Sequence, residues 1–318
     1  IALLYISHRM HEIAELADDC TVFRNGRNVA SYEAGTKTDE QVVELMIGRE
    51  YRNVFPPKPP LQPPTVQPVL EARNLSWPPR LNGVSLTVRP GEIVGLGGLD
   101  GQGQRELLLA LFGVLRGVGG EVVVDGKSTS INSPRAAKAE GIGMALIPED
   151  RKTEGLMLPM PVRDNLSFAA MTHFARGGVI DGAAERSAID EMVKLLAIKT
   201  DGIAVPVGSL SGGNQQKVVI AKWLMRKPRI ILLNDPTRGI DVGTKQEIYA
   251  LLRRLADEGA AILLYSTDYD ELIGCCDRVL VMYDGAVRAE LSGDGLNERA
   301  LIANALNLGE GARLGASA

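Results

Sequence analysis

Leu210-Ser-Gly-Gly-Asn-Gln-Gln-Lys217 decides how the rest of the chain is read. An amphipathic run follows it (Val218, Val219, Ala221, Trp223, Leu224). That is the pattern of a helix start. Ser211 is a good N-cap, and Gly212 and Gly213 let a ligand approach the backbone closely. The first-turn N–H groups of such a helix are free, and its dipole favours an anion in front of it. A Ser-Gly-Gly string alone would mark only a loop-to-helix junction, so the surrounding residues carry the decision. Twelve residues on, Arg229-Ile-Ile-Leu-Leu-Asn-Asp-Pro-Thr237 reads as a buried strand ending in two polar residues, Asn234 and Asp235.

Upstream, Glu92-Ile-Val-Gly-Leu96 reads as a buried strand. It runs into Gly97-Gly98-Leu-Asp-Gly101-Gln-Gly103-Gln104-Arg105-Glu106 and then a helix over Leu107–Leu115. Strand, glycine loop and helix form the context of a phosphate-binding loop. Together the three stretches resemble the ABC-type ATPases. Leu210, Ser211, Gly212, Gly213, Asn214 and Gln215 match their signature motif, Gly98 to Arg105 the Walker A motif, and 229–237 the Walker B motif. The resemblance implies an α/β fold of the P-loop NTPase type, with a parallel-sheet core, an antiparallel β-subdomain and a helical subdomain. It implies ATP and Mg²⁺ as cofactors, with Gly98, Gly101, Gly103, Glu149, Asp241 and Thr267 also beside the nucleotide, and no separate metal site. Trp77 falls near the family's adenine-stacking aromatic, although a plain packing tryptophan fits its place as well.

Several columns depart from the family pattern. Gln104 stands where a lysine should bridge the β- and γ-phosphates, and Arg105 where a hydroxyl should bind Mg²⁺. Asn234 replaces the aspartate that holds Mg²⁺ through water. Asp235 stands in the column of the glutamate that polarises the attacking water, one methylene short, and such displacement is poorly tolerated. Thr267 replaces the switch histidine, and Glu149 replaces the Q-loop glutamine. The resemblance therefore implies a domain whose own Walker and switch columns are impaired while its signature is intact. Glu149-Asp-Arg-Lys-x-x-Gly-Leu156 further resembles the second ATPase half of bacterial sugar importers, with nucleoside importers as the nearest alternative.

Residues 1–50 echo residues 260–309 at a constant offset: Leu4 meets Leu263, Ser7 meets Ser266, Glu12 meets Glu271, Asp18 meets Asp277 and Gly26 meets Gly285. Both copies read strand, helix, strand, turn, strand, helix, with Ile1–Ile6 as the opening strand of the first. The period is too long for a solenoid and fits two tandem ATPase domains. Residues 1–54 are then the C-terminal tail of a first domain and 69–318 a second. Between them residues 55–68 hold seven of the 17 prolines, an extended linker of about 3.1 Å per residue. In the second domain Val69–Trp77 and Val84–Val88 alternate as antiparallel strands, and Ala183–Ile198 is an amphipathic helix. His8 matches the switch histidine, which contacts the γ-phosphate and the attacking water. A metal pair with His11 lacks further ligands nearby. His173 reads as an exposed loop histidine.

In ABC proteins two ATPase domains sandwich two nucleotides head to tail. The resemblance thus places His8 and the signature in one competent composite site, with catalytic roles for His8 and, in the other site, Asp235. It implies an ATP-hydrolysing subunit on the cytoplasmic face of the bacterial inner membrane, bound to permease subunits and fed by an extracytoplasmic sugar-binding protein. The first domain of the same polypeptide is its other partner. Chain composition agrees. A net charge of −4 gives no reason to expect nucleic acid, no apolar run reaches membrane-span length, and three cysteines (Cys20, Cys275, Cys276) read as reduced thiols. A soluble tandem ABC protein acting on ribosomes or DNA would be expected to carry a basic surface or a long charged linker.

Overall fold

The computed structural model describes residues 2–6, 13, 15–24, 26–47, 55–61, 63 and 65–308. Its strands are β1 (Asp19–Arg24), β2 (Arg27–Glu33), β3 (Leu70–Trp77), β4 (Leu81–Val88), β5 (Ile93–Gly97), β6 (Gly119–Val124) and β7 (Lys127–Ser128), then β8 (Met144–Ile147), β9 (Ala175–Arg176), β10 (Val179–Ile180), β11 (Ile230–Asn234), β12 (Ala261–Tyr265), β13 (Arg278–Tyr283) and β14 (Ala286–Ser292). Helices of six residues or more are α1 (Asp39–Ile47), α2 (Gln104–Leu111), α3 (Val162–Ser167), α4 (Gly182–Leu195), α5 (Gly212–Leu224), α6 (Val242–Asp257), α7 (Tyr269–Cys275) and α8 (Glu298–Ala305).

Strands β5, β8, β11 and β12 are buried at every residue. Continuous apolar strands of this kind suit a parallel sheet covered on both faces. They lie in a six-stranded sheet of order β14-β13-β5-β12-β11-β8, parallel throughout except for the antiparallel edge strand β14. The pleat sends alternate side chains to opposite layers. Ile231 and Leu233 join a core with Val218 to Ala221 of α5 and with Ile248 and Leu252 of α6. Ile230 and Leu232 join Leu107, Leu108 and Leu111 of α2 and the inner face of β3 and β4. The second sheet, β4-β3-β6-β7, is antiparallel.

The β1–β2 hairpin repeats β13–β14 in detail. Each slips register at the same relative place, Val22/Phe23 and Val281/Met282, and each turns through a left-handed glycine, Gly26 (φ 73°) and Gly285 (φ 72°). Three expectations need correction. Ala2–Ile6 forms no strand, and Leu3, Leu4 and Ile6 are about 90% exposed. An apolar segment becomes a buried strand only beside partner strands, and none of the described strands pairs with it. The helix expected over Leu107–Leu115 spans Gln104–Leu111, because left-handed Gly113 (φ 73°) ends it. The helix expected over Ala183–Ile198 begins at Gly182, capped by Asp181, and stops at Leu195, just before Ala197 turns left-handed (φ 47°).

Two buried ion pairs clamp the base of the sheet. Arg253 donates to Asp277 at 3.0 Å and to the Gly91 carbonyl at 2.8 Å, while Asp277 accepts the Ile93 N–H at 2.8 Å. Arg278 donates to Glu92 at 2.6 Å. Burial raises the Asp277 pKa, opposed by the Ile93 N–H and Arg253. Arg253→Ala strands that carboxylate in the interior, which costs about 3–5 kcal/mol. Urea denaturation of the full-length protein is expected to show this loss. A cost below about 1 kcal/mol, the range of an exposed pair, would mean that the clamp does not hold the sheet.

Candidate functional site

The glycine loop leaves β5 at Gly97 and enters α2 at Gln104. Gly98, Gly101 and Gly103 have φ of 126°, 79° and 102°, a region closed to most side chains. A Cβ at Gly103 would lie 2.5 Å from the Arg80 carbonyl, and one at Gly98 would run into that of Met282. The loop is therefore bare backbone by necessity. Gln104 is fully buried, and its amide donates to the carbonyls of Gly97 at 3.3 Å and Leu99 at 3.0 Å. Its side chain holds the loop together from inside. Arg105 turns outward to Glu154 at 2.8 Å and lies 4.0 Å from Glu149, which also pairs with Arg238.

At the end of β11 the polar residues meet the loop. Asn234 Oδ1 is buried and has no hydrogen-bond partner among the described residues. Asp235 is buried with φ 45°, a left-handed conformation that aspartate tolerates better than most residues. Its carboxylate accepts from Thr267 Oγ1 at 2.8 Å. Burial raises its pKa above the ordinary aspartate range, and the Thr267 hydroxyl and Arg238 only partly offset that. Tyr265, at the end of β12, donates its hydroxyl to Asp100 in the glycine loop at 3.0 Å. Asp235, Thr267, Tyr265 and Asp100 are thus linked pairwise at the strand ends, the crevice of the sheet, with Glu149 near enough to Asp235 to act on its charge. Trp77 lies at the end of β3, where its indole N–H donates to the Arg116 carbonyl at 3.1 Å and its ring packs against the second core.

A second cluster surrounds the start of α5. Ser211 caps the helix, accepting the Asn214 N–H at 3.4 Å and its amide at 2.9 Å. Asn214 accepts the Lys199 N–H at 2.8 Å, and buried Gln215 donates to Leu210 O at 3.0 Å. Gly213 is glycine for a packing reason: a Cβ there would sit 2.5 Å from Thr244 Oγ1. Thr244 is held in turn by Asp241, which caps α6 by accepting its N–H at 3.0 Å and its hydroxyl at 2.9 Å.

The segment Glu149–Gly155 bridges the two clusters. Glu149 faces Arg105 and Arg238, while Arg151 donates to the carbonyls of Arg238 at 3.2 Å and Gly239 at 3.4 Å. An added Cβ on Gly212 would lie 2.9 Å from the Arg151 guanidinium. Sequence reading did not assign this bridging role to Arg151, nor any role to Asp100 and Tyr265. For Tyr265 a signal existed, a lone hydroxyl closing an otherwise apolar strand. His8 and His11 lie outside the described residues, and His173 is exposed as expected but sits in a short helix, Met171–Phe174, not in a loop. Among the described residues no group of three or more His, Cys, Asp or Glu could hold a metal, the three cysteines are free, and no helix is long and apolar enough to cross a membrane.

The family model described as ABC transporter matches residues 81–238. The chain is 74% identical over 308 residues to the Ribose import ATP-binding protein RbsA 1 of Mesorhizobium japonicum, covering 97% of this chain and 60% of that protein. It is 43% identical over 306 residues to the Ribose import ATP-binding protein RbsA of Chelativorans sp., covering 96% and 60%. The chain thus spans about 60% of the length of the curated relatives it matches. A nucleotide-free ATP-binding cassette from an ABC transporter superposes with a TM-score of 0.63 at 21% identity, over 76% of this chain and 96% of that one. A cassette dimer bound to ADP and Pi gives a TM-score of 0.60 at 23% identity, over 70% and 98%. Those two likenesses show the fold alone. Fold, family match and sequence relatives agree: the chain belongs to the ABC transporter family and has the α/β P-loop fold of its ATP-binding cassettes.

Proposed function

We propose that this chain is the C-terminal part of an ATP-hydrolysing subunit that energises import of ribose or a related sugar. Residues 1–54 belong to a preceding cassette, 55–68 to a linker and 69–318 to a second cassette. The observation that carries the reading is the contrast between two sites of one chain. The α5 start presents an N-terminus capped by Ser211, with the Arg151 guanidinium beside Gly212, whereas Gln104 is folded into its own phosphate loop. The first suits anion binding. The second has lost the positive charge on the loop axis.

The residues at the second site fit Mg²⁺ poorly. Asn234 puts an uncharged amide in the aspartate column, its Oδ1 buried without a partner among the described residues, and the cationic Arg105 stands in the metal-ligand column. In the proposed competent site, His8 orients the γ-phosphate and the attacking water, and Ser211 with the α5 N-terminus stabilises charge on the phosphoryl group. Glu149 and the segment to Leu156 relay nucleotide state to permease subunits, which receive sugar from an extracytoplasmic binding protein. Sugar as cargo is supported by the names of the relatives and by the Glu149–Leu156 string.

ATP added to this chain alone is expected to bind weakly and with little dependence on Mg²⁺. Isothermal calorimetry with and without the metal checks this, and tight, Mg²⁺-dependent binding would show that these columns are misread.

In the full-length protein, His8→Ala and Ser211→Arg should each reduce ATP turnover by about 10²–10³, the usual cost of losing a preorganised transition-state contact. The double variant should be little worse, because both serve one transition state. Gln104→Ala and Thr267→Ala should have small effects. Phosphate release by the purified transporter reads the difference, and equal damage from Gln104→Ala and His8→Ala would refute the asymmetry.

A further inference from the structure

The proline-rich linker is seated at its start. A polyproline-type stretch has no internal hydrogen bonds, so its position is fixed by what its side chains grip. Phe55 stacks on Tyr249 of α6, with ring centroids 5.0 Å apart and planes inclined by 28°. The same ring covers Gly274 of α7, where an added Cβ would run into it. Three residues on, Lys58 donates to the Ile273 carbonyl. A glycine inside a helix weakens it by about 1 kcal/mol relative to alanine. Here the missing methyl forms the notch that admits the ring.

Tyr249 connects this seat to the crevice. Its hydroxyl donates to Glu271 Oε1 at 2.7 Å. Glu271 is buried and also accepts from Thr237 Oγ1 at 2.6 Å, Ser266 Oγ at 2.7 Å and Lys245 Nζ at 2.7 Å. Thr237 lies two residues after Asp235, and Ser266 precedes Thr267, whose hydroxyl donates to Asp235. Burial works against the Lys245 charge, but Glu271 and Asp268 outweigh it and raise its pKa. Burial, with Glu271 beside it, pushes the Tyr249 phenol upward, so its O–H remains a donor. A buried carboxylate of this kind cannot lose a donor without cost, so its partners move together or not at all. The sequence repeat carries the same pair in its first copy, as Ser7 and Glu12.

We propose that Tyr249 and Glu271 are positioning residues that couple the seated linker to the Asp235–Asp241 and Ser266–Thr267 segments. Seating Phe55 in the Gly274 notch thereby sets the geometry of the second nucleotide site. This rests on reading those segments as nucleotide-site columns.

The test uses the full-length protein, free of nucleotide, and hydrogen exchange read by mass spectrometry. Phe55→Ala, Gly274→Ala and Tyr249→Phe should each speed exchange in peptides covering 234–241 and 265–272. The expected change is about three- to tenfold, as for one lost member of a network, with β3 and β4 unchanged. Combining Phe55→Ala with Gly274→Ala should add nothing, because both empty one seat. Gly274→Ala is informative because its intrinsic effect on α7 is stabilising. Tyr249→Phe keeps the ring and removes only the hydroxyl. If it leaves both peptides unchanged, or if exchange rises uniformly across the cassette, the linker is a plain anchor and the coupling fails. ATP binding by the Asp235→Ala variant, read by calorimetry alongside, separates the two levels. If the unaltered protein binds ATP no better than that variant, the nucleotide-site reading falls and takes this proposal with it. If the substitution changes binding while the exchange pattern is flat, only the linker coupling is lost.

Discussion

Burial of β5, β11 and β12 on both faces is the constraint from which the rest follows. A strand covered on both sides has no solvent-facing position, so functional polar groups must wait for its end. The parallel register then brings those ends together: Asn234 pairs with Tyr265, and Tyr265 with Leu96, one residue before the glycine loop opens. Asp235, Thr267 and Asp100 follow directly. The crevice is thus a consequence of register, and no single residue holds it. At the opposite end of the sheet, Asp277 and Glu92 receive buried arginines from α6 and β13.

Inside the glycine loop stands an uncharged amide, Gln104. Arg105 lies one residue beyond Gln104 and points outward, about half exposed, into a set with Glu149, Glu154 and Arg238. Exposed pairs of this kind contribute little stability, about 0–1 kcal/mol each. Their effect is geometric: they tie α2, the Glu149–Gly155 segment and the stretch after β11 to one another. Arg151 extends the tie to the start of α5. The segment that the sequence marks by an unusual charged string is therefore the joint between the two clusters.

What was legible in the sequence was local. The β1–β2 hairpin could be placed because its turn glycine and apolar alternation lie within a few residues, and its slipped register matches β13–β14. The glycine loop and the Ser211 cap were readable for the same reason. Contacts across long separations were not. Arg151 meets carbonyls at 238 and 239, Tyr265 meets Asp100, and Phe55 meets Gly274. No spacing rule links such pairs, because the fold makes them neighbours. Glu271 is intermediate. Its match with Glu12 in the repeat was visible, but the four donors converging on it come from three separate elements. Ala2–Ile6 shows the converse, since apolar sequence alone does not make a strand without a partner edge.

The altered columns differ in how far each has settled into its new chemistry. Gln104 satisfies its amide with two loop carbonyls, and Thr267 donates to Asp235, so both have become part of the internal hydrogen bonding. Asn234 has not: its Oδ1 is buried with no partner among the described residues. An orphaned buried acceptor costs about 1–3 kcal/mol, and native folds keep few of them. Such residual cost concentrates at sites whose geometry serves something other than stability. A crevice that had merely decayed would be free to fill this position with an apolar residue of similar size, at no loss to a strand that is otherwise wholly apolar. An oxygen there, at the end of a strand that lies beside a backbone loop kept bare by Gly98 and Gly103, fits a site that accepts a polar ligand.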